Sequence, residues 1–231
     1  MPITTVALDA DDTLWHNETI FRLTHDRFAA LLSDHAEQAA VADRIAEVER
    51  RNLRLYGYGV KGFTLSMIET AMEICGGEAP PHVVREILAA GREMLSHPVE
   101  TLPGVDEALA ELSQHYRLVL VTKGDLMDQE RKVAASGLGE LFAAVEIASE
   151  KDRATYDHVF ARHGTGAAQG VMIGNSVRSD ILPALAAGAF AIHIPYAITW
   201  AHEEADLPQD DPRLGVLDAI AEAPEWIAAR A

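Results

Sequence analysis

Short apolar runs alternate with amphipathic segments through much of this 231-residue chain. The runs are rich in Val, Ile and Leu, and most are followed by polar or glycine-containing turns, as buried parallel strands usually are. This alternation predicts a doubly wound parallel sheet with helices between its strands. Strands are predicted at 4–10, 116–124, 170–176 and 189–196, with a weaker strand at 143–150, and helices at 104–115, 127–137, 151–164 and 180–188.

One long stretch, residues 16–97, contains no convincing strand. Its apolar residues recur with helical spacing instead, and the segment YGYGVKGF at 56–63 interrupts them. We therefore predict an α/β core formed by residues 1–15 and 98–231, with an inserted α-helical domain formed by residues 16–97.

Composition excludes several partners. The formal net charge is −17, which argues against binding to nucleic acids or anionic membranes, because phosphate backbones require clustered Lys and Arg. No apolar run approaches the roughly 20 residues needed to span a bilayer. No secretory leader pattern is visible, and the single cysteine, Cys75, excludes an internal disulfide. These features predict a cytoplasmic protein. We also expect a monomer or homodimer that acts on a small molecule.

Polar side chains follow the predicted strands at their carboxyl ends, where open α/β sheets bind ligands. Paired carboxylates at such an edge favour a hard divalent cation with oxygen ligands, and Mg²⁺ fits best. A hydroxyl group and an ammonium group can hold phosphate oxygens, while one carboxylate attacks phosphorus and another transfers a proton. The residues expected to converge are Asp9, Asp11, Thr122, Lys123, Lys151, Asn175 and Asp180.

Four ordered motifs carry a specific resemblance. LDADDTL at 8–14 resembles the DxDxT signature of the haloacid dehalogenase-like (HAD) superfamily, and LVLVTKG at 118–124 resembles its second motif. Lys151 in ASEKD resembles the third motif, and IGNSVRSDI at 173–181 resembles the fourth. The resemblance covers the whole core. It implies a Rossmann-like fold, and it identifies the helical insert as similar to the C1-type cap domain of the family.

The resemblance also implies a role for each matched residue. Asp9 would be the nucleophile and a Mg²⁺ ligand. Asp11 would be the general acid and base and would offer its backbone carbonyl to the metal. Thr122 and Lys151 would hold the substrate phosphate, while Asp180 and Asn175 would complete the metal site. Lys123 stands where the family often carries a small polar residue, and it is either a further phosphate-binding candidate or a solvated lysine at the edge of the site. Thr13 would brace the turn.

Two features bear on the choice between activities. Asn175 stands where family members often carry Asp, so the metal would be held either more weakly or by Asp180 with an extra water molecule. Asp11 supplies an acid that true haloacid dehalogenases lack, since a halide leaves without protonation. The predicted activity is therefore Mg²⁺-dependent hydrolysis of a small phosphate monoester through a phospho-Asp9 intermediate. A phosphomutase, a 2-haloacid dehalogenase and a non-catalytic ligand-binding protein remain alternatives.

Other residues admit a structural and a functional interpretation. Lys61 and Tyr58, in the glycine-rich segment 56–63, are candidates for substrate specificity, or the segment is only a helix connector. The TWAHEE segment, 199–204, is a lesser candidate for lining the entrance to the site. Asp12 is interpreted as solvated or as a cap of the following turn.

Overall fold

The fold is described from a computed structural model, which describes residues 2–198, 200 and 203–230. Six parallel strands form one sheet in the order β3-β2-β1-β4-β5-β6. The strands are β1 Thr5–Leu8, β2 Arg117–Lys123, β3 Ala144–Ala148, β4 Gly170–Gly174, β5 Phe190–His193 and β6 Leu214–Val216.

Nine α-helices lie in the described part of the chain. They are α1 Glu18–Leu31, α2 Gln38–Tyr56, α3 Val60–Ile74, α4 Pro81–Leu95, α5 Val105–His115, α6 Leu126–Ser136, α7 Arg153–His163, α8 Leu182–Ala187 and α9 Ala223–Ala228. A π-helical turn, Val177–Ile181, precedes α8. The structure confirms the predicted Rossmann-like α/β fold with a helical insert, and it adds β6, which was not predicted.

The side chains of β1 alternate between the two faces of the sheet, and both faces are covered by apolar residues. Val6 and Leu8 pack in one apolar cluster with Leu109 of α5 and Ile227 of α9. Ala7, between them, packs in a second cluster that contains residues of α7 and α8. Because β1 lies between β2 and β4 and is covered on both faces, its carboxyl end is the point where the chain can bring together loops from both halves of the sheet.

The chain divides into two compact units. The sheet unit comprises the described residues of Met1–Glu18, Val99–Lys123 and Gln129–Ala231, and the helical unit comprises Thr19–Pro98 and Gly124–Asp128. Gly124–Asp128 thus groups with the helical unit, although the sequence suggested the core. No helix in the described residues is both long enough and apolar enough to cross a membrane.

The helical unit has its own apolar core. Each of its four long helices contributes large side chains to one cluster, including Phe28, Ile45, Met67 and Ile87. The side chain of Glu49 on α2 is also largely buried, and its Oε2 atom lies 3.5 Å from His25 Nε2. Burial raises the pKa of Glu49 to about 7, because the charged carboxylate is poorly solvated there.

This burial predicts a pH-dependent contribution to stability. Folded Glu49 holds its proton more tightly than unfolded Glu49, so its contribution is complete below the unfolded pKa and is lost as pH rises towards 7. We expect the stability of wild type relative to Glu49→Gln to fall between pH 4 and pH 8, by at most about 3 kcal/mol. Urea unfolding at several pH values measures it. A difference that is constant with pH would contradict the prediction.

Candidate active site

The first motif forms a tight turn directly after β1. The backbone N–H of Asp9 donates to Ile173 O at 2.9 Å, which ties the turn to β4. The N–H of Leu14 donates to Ala10 O at 2.8 Å and closes the turn. Asp9 and Asp11 are therefore held at the carboxyl edge of the sheet, as the sequence predicted.

Lys151 joins two buried carboxylates. Its Nζ atom donates to Asp9 Oδ1 and, at 2.8 Å, to Asp180 Oδ1. The side chains of Lys151 and Asp180 are almost completely buried, and that of Asp9 is 10% exposed. The structure thus brings together residues from three separate motifs.

The charges at this junction do not balance. One ammonium group faces two carboxylates. Burial alone would lower the pKa of Lys151, but Asp180 and Asp9 raise it, so the lysine stays charged. Burial raises the pKa of Asp9 to about 7, although Lys151 opposes the shift and Asp180 adds to it. The nucleophile candidate therefore lies where additional positive charge would favour its ionised form.

Asp180 fits only because a glycine lies beside it. A Cβ atom built on Gly174 would lie 2.2 Å from Asp180 Oδ2, so any side chain at position 174 would displace the carboxylate. That same Oδ2 atom accepts the backbone N–H of Ser176 at 3.0 Å. Tyr156, fully buried, donates from its hydroxyl to Ser179 O at 2.9 Å and fixes the π-helical turn that carries Asp180.

Thr13 links the first motif to the fourth. Its Oγ1 atom lies 3.1 Å from Asp9 Oδ2 and 3.2 Å from Asn175 Oδ1, and it accepts the backbone N–H of Asn175 at 3.1 Å. A hydroxyl group has one proton and can satisfy only one of those two oxygens at a time. The carboxylate of Asp9 and the amide oxygen of Asn175 thus share one donor on the same side of the turn.

Asp11 has partners that the sequence did not indicate. Lys132 Nζ donates to its two carboxylate oxygens at 2.9 and 3.1 Å, and Trp15 Nε1 donates to Oδ1 at 2.7 Å. Gln129 Nε2 lies 3.2 Å from Oδ2 and 2.5 Å from Thr122 Oγ1. The carboxyl group of Asp11 therefore lies in a separate set of contacts from that of Asp9, and Gln129 connects it to the buried Thr122.

Lys123 is engaged by an acidic residue from a distant segment. Its Nζ atom donates to Glu203 Oε1 at 2.6 Å and to Ser179 Oγ at 2.8 Å. The other oxygen of Glu203 accepts from Ser176 Oγ at 2.5 Å and from Ser179 Oγ. Burial would raise the pKa of Glu203, but Lys123 and the two hydroxyl groups together hold it below its usual value. Within the TWAHEE segment, Thr199, Ala201 and His202 lie outside the described residues.

The specificity candidates belong to the helical unit. Lys61 Nζ donates to both oxygens of Asp125, at 2.9 and 3.0 Å, so its charge is already paired. Tyr58 is half-buried between Gly57 and Gly59, whose positive φ angles of 71° and 95° explain why glycines precede and follow it. A role in substrate recognition for Lys61 and Tyr58 stays a prediction.

Asp12 is a structural residue in this geometry. Its Oδ1 atom accepts the backbone N–H groups of Asn17 and Glu18 at 2.9 and 3.0 Å, at the start of α1. Its φ angle is 62°, which Asp tolerates better than most residues. Burial raises its pKa to about 7, although the two N–H donors oppose this shift.

The oxygen atoms at this edge fit a hard divalent cation. In the described part of the chain, no three His, Cys, Asp or Glu side chains form a metal-binding group. A Mg²⁺ site here would instead use two carboxylates, those of Asp9 and Asp180, with the amide oxygen of Asn175 and the backbone carbonyl of Asp11. These are oxygen ligands of the kind that Mg²⁺ prefers, and the junction carries excess negative charge.

A family model described as "haloacid dehalogenase-like hydrolase" matches residues 3–188. A solved haloacid dehalogenase-like family hydrolase from Xanthomonas campestris is 42% identical, with a TM-score of 0.88 over 98% of this chain and 91% of that chain. No curated protein gives a match.

Two more distant structures share the fold. A putative HAD-hydrolase, YfnB from Bacillus subtilis, bound to magnesium, is 16% identical with a TM-score of 0.66, over 98% of this chain and 99% of that chain. A 2-haloacid dehalogenase from Pseudomonas syringae pv. Tomato is 22% identical with a TM-score of 0.64, over 99% of this chain and 100% of that chain. Similarity of fold alone therefore does not choose between reactions.

The Lys151 junction predicts a large loss of stability when the ammonium group is removed. Lys151→Met leaves two buried carboxylates without the cation that pairs with both, and we expect a loss of about 3–5 kcal/mol in the free energy of unfolding. Urea unfolding without divalent cations measures it. The double variant Lys151→Met/Asp180→Asn should recover part of the loss, because it removes one of the two charges.

Arg153→Met is the matched control for this prediction. Its guanidinium group contacts Asp157 at 3.4 Å on an exposed face of α7, so its loss should change stability by less than about 0.5 kcal/mol. A Lys151→Met protein as stable as the Arg153→Met protein would show that the buried carboxylates do not depend on Lys151.

Proposed function

The chain belongs to the haloacid dehalogenase-like hydrolase family, and on this basis we propose that it hydrolyses a small phosphate monoester. The observation that carries the proposal is Asp11, a second carboxyl group two residues after the nucleophile candidate and held by its own donors. A departing alkoxide requires a proton, whereas a departing halide does not. A second carboxyl group that is fixed close to the nucleophile candidate can supply that proton, which favours hydrolysis of a phosphate ester.

The proposed reaction has two steps. Asp9 attacks phosphorus through a carboxylate oxygen, the bond from phosphorus to the ester oxygen breaks, and Asp11 gives its proton to that oxygen. Water then attacks the phosphorus of phospho-Asp9, Asp11 takes a proton from that water, and inorganic phosphate leaves. Both carboxyl groups return to their starting states, so the protons and the phosphoryl group balance.

The chain's other residues hold the charges in place. Lys151 would stabilise Asp9 and a phosphate oxygen, and the buried hydroxyl of Thr122 would donate to another. Lys123 would contribute only if a substrate anion competes with Glu203 for its ammonium group. Bound through Asp9, Asp180, Asn175 and the Asp11 carbonyl, Mg²⁺ would shield the negative charge that otherwise repels a phosphate. The magnesium named in the YfnB structure supports this assignment.

The first experiment is phosphate release from a panel of small phosphate esters, with Mg²⁺ and with EDTA. We expect release by wild type that requires Mg²⁺ and falls at least about 1,000-fold in Asp9→Asn, because the nucleophile is lost. Asp157→Asn, which removes an exposed carboxylate from α7, is the control and should keep full activity.

Other outcomes distinguish the alternatives. Halide release from 2-haloacids without Mg²⁺, and no phosphate release, would replace the proposal with a dehalogenase. Isomerised ester without free phosphate would indicate a phosphomutase. Specific binding of a ligand without turnover, unchanged in Asp9→Asn, would indicate a non-catalytic member of the family.

The neutral amide at position 175 predicts a weak metal site that one substitution can strengthen. Asn175→Asp adds a carboxylate beside Asp9 and Asp180, and we expect the Kd for Mg²⁺ to fall by about tenfold or more. Isothermal titration calorimetry measures the Kd without any substrate. The contacts of the Asn175 backbone with Thr13 and His193 are kept in this variant. Unchanged Mg²⁺ affinity would place the metal away from residue 175.

A further inference from the structure

Lys132 lies one turn after Gln129 on α6, and both side chains reach the carboxyl group of Asp11. The Lys132 ammonium contacts both oxygens of Asp11 and also donates to Asn17 Oδ1 at 2.8 Å. Its side chain is only 11% exposed, so these contacts are shielded from solvent. A surface lysine would not be fixed in this way.

Two other donors restrict the same carboxyl group. The ring of Trp15 is buried, and its indole N–H donates to Asp11 Oδ1. The Gln129 amide lies within hydrogen-bond distance of Asp11, of Thr122 Oγ1 and, at 3.0 Å, of Lys123 O. The carboxyl group of Asp11 is thus held from three directions, and one of the groups that holds it also contacts the predicted phosphate-binding threonine.

Lys151 and Lys132 pair with different carboxyl groups of the first motif, Lys151 with Asp9 and Lys132 with Asp11. Lys151 is shared by Asp9 and Asp180, so it cannot also neutralise Asp11. Lys132 is a separate cation whose contacts with both oxygens of Asp11 keep that carboxyl group oriented.

We propose that Lys132 is a positioning residue that holds Asp11 in the orientation needed to transfer protons. This inference rests on the proposed phosphatase function and deepens it. Asp11 must give a proton to the leaving oxygen in the first step and take one from water in the second. The contacts of Lys132 with both oxygens suit the carboxylate that exists between the two steps. When Asp11 carries its proton, Lys132 can donate to the other oxygen and still fix the direction of the carboxyl group.

The test compares two esters whose leaving groups differ in their need for a proton. The first is the best alkyl phosphate from the panel, and the second is p-nitrophenyl phosphate, whose nitrophenolate leaves without protonation. We expect Lys132→Met to lower kcat/KM for the alkyl ester by about 30-fold or more, and for the nitrophenyl ester by less than about threefold, because kcat/KM reports the first step.

A second measurement follows the water step. Hydrolysis of phospho-Asp9 is the same for both esters and needs Asp11 as a base. Lys132→Met should therefore slow turnover of p-nitrophenyl phosphate after the first step, which would produce a burst of nitrophenolate in stopped-flow measurements. A purely structural role for Lys132 would not separate the two esters or create a burst. Lys132→Arg keeps the charge and should restore most of the alkyl ester activity.

The controls separate the possible failures. Arg162→Met removes a cation that pairs with Glu146 on an exposed face and should leave both esters unaffected. If Lys132→Met does not fold, as judged by circular dichroism, Lys132→Gln carries the same comparison. Equal losses for the two esters, or no loss, would overturn the role of Lys132 alone. A wild-type protein that hydrolyses neither ester would overturn the proposed function and this inference together.

Discussion

A buried lysine between two buried carboxylates is the interaction on which the candidate site depends. Lys151 lies after β3, Asp9 after β1 and Asp180 after β4, so this one ammonium group connects three loops that are far apart in sequence. Removing three charged groups from water is costly, and their mutual attraction offsets that cost only when geometry and further hydrogen bonds are good. Gly174, Ser176 and Tyr156 supply that geometry around Asp180. The carboxyl end of the sheet is thus organised around one cation.

Much of this arrangement could be predicted from the sequence. The strands were recognisable because β1, β2, β4 and β5 each contain a run of apolar residues that is buried on both faces of the sheet. Open α/β sheets bind ligands at the carboxyl ends of their strands, so Asp9, Thr122 and Asp180 were expected at one edge of the sheet. β6 was not predicted because it has only three residues, and one of them, Val216, is exposed. Such a short strand shows no apolar pattern in the sequence.

The residues that hold the site were harder to predict. Gln129 and Lys132 occur in an ordinary polar helix, and their spacing of three residues shows only that they share a face, not what that face contacts. Glu203 is 80 residues from Lys123, and no local pattern marks their ion pair. Trp15 follows the first motif directly, but nothing in the sequence distinguishes an indole that packs from one that also donates to Asp11. These contacts join residues that only the tertiary fold brings together. Hydrophobic pattern and secondary-structure propensity therefore do not predict them.

The charges at the candidate site indicate that its lysines alone would not bind a phosphate. The chain as a whole is also acidic, with a net charge of −17. In the part of the chain that the structure describes, three lysines at the site are each paired with carboxylates: Lys151 with Asp9 and Asp180, Lys132 with Asp11, and Lys123 with Glu203. These pairs set three positive charges against four carboxyl groups. With all four ionised, the site is negative and would repel a phosphate dianion. Burial raises the pKa of Asp9 to about 7 against the opposing effect of Lys151, and the carboxylates of Asp180 and Asp11 add to that rise. A divalent cation would reverse the balance, which makes Mg²⁺ a requirement for substrate binding as well as for chemistry in the proposed mechanism.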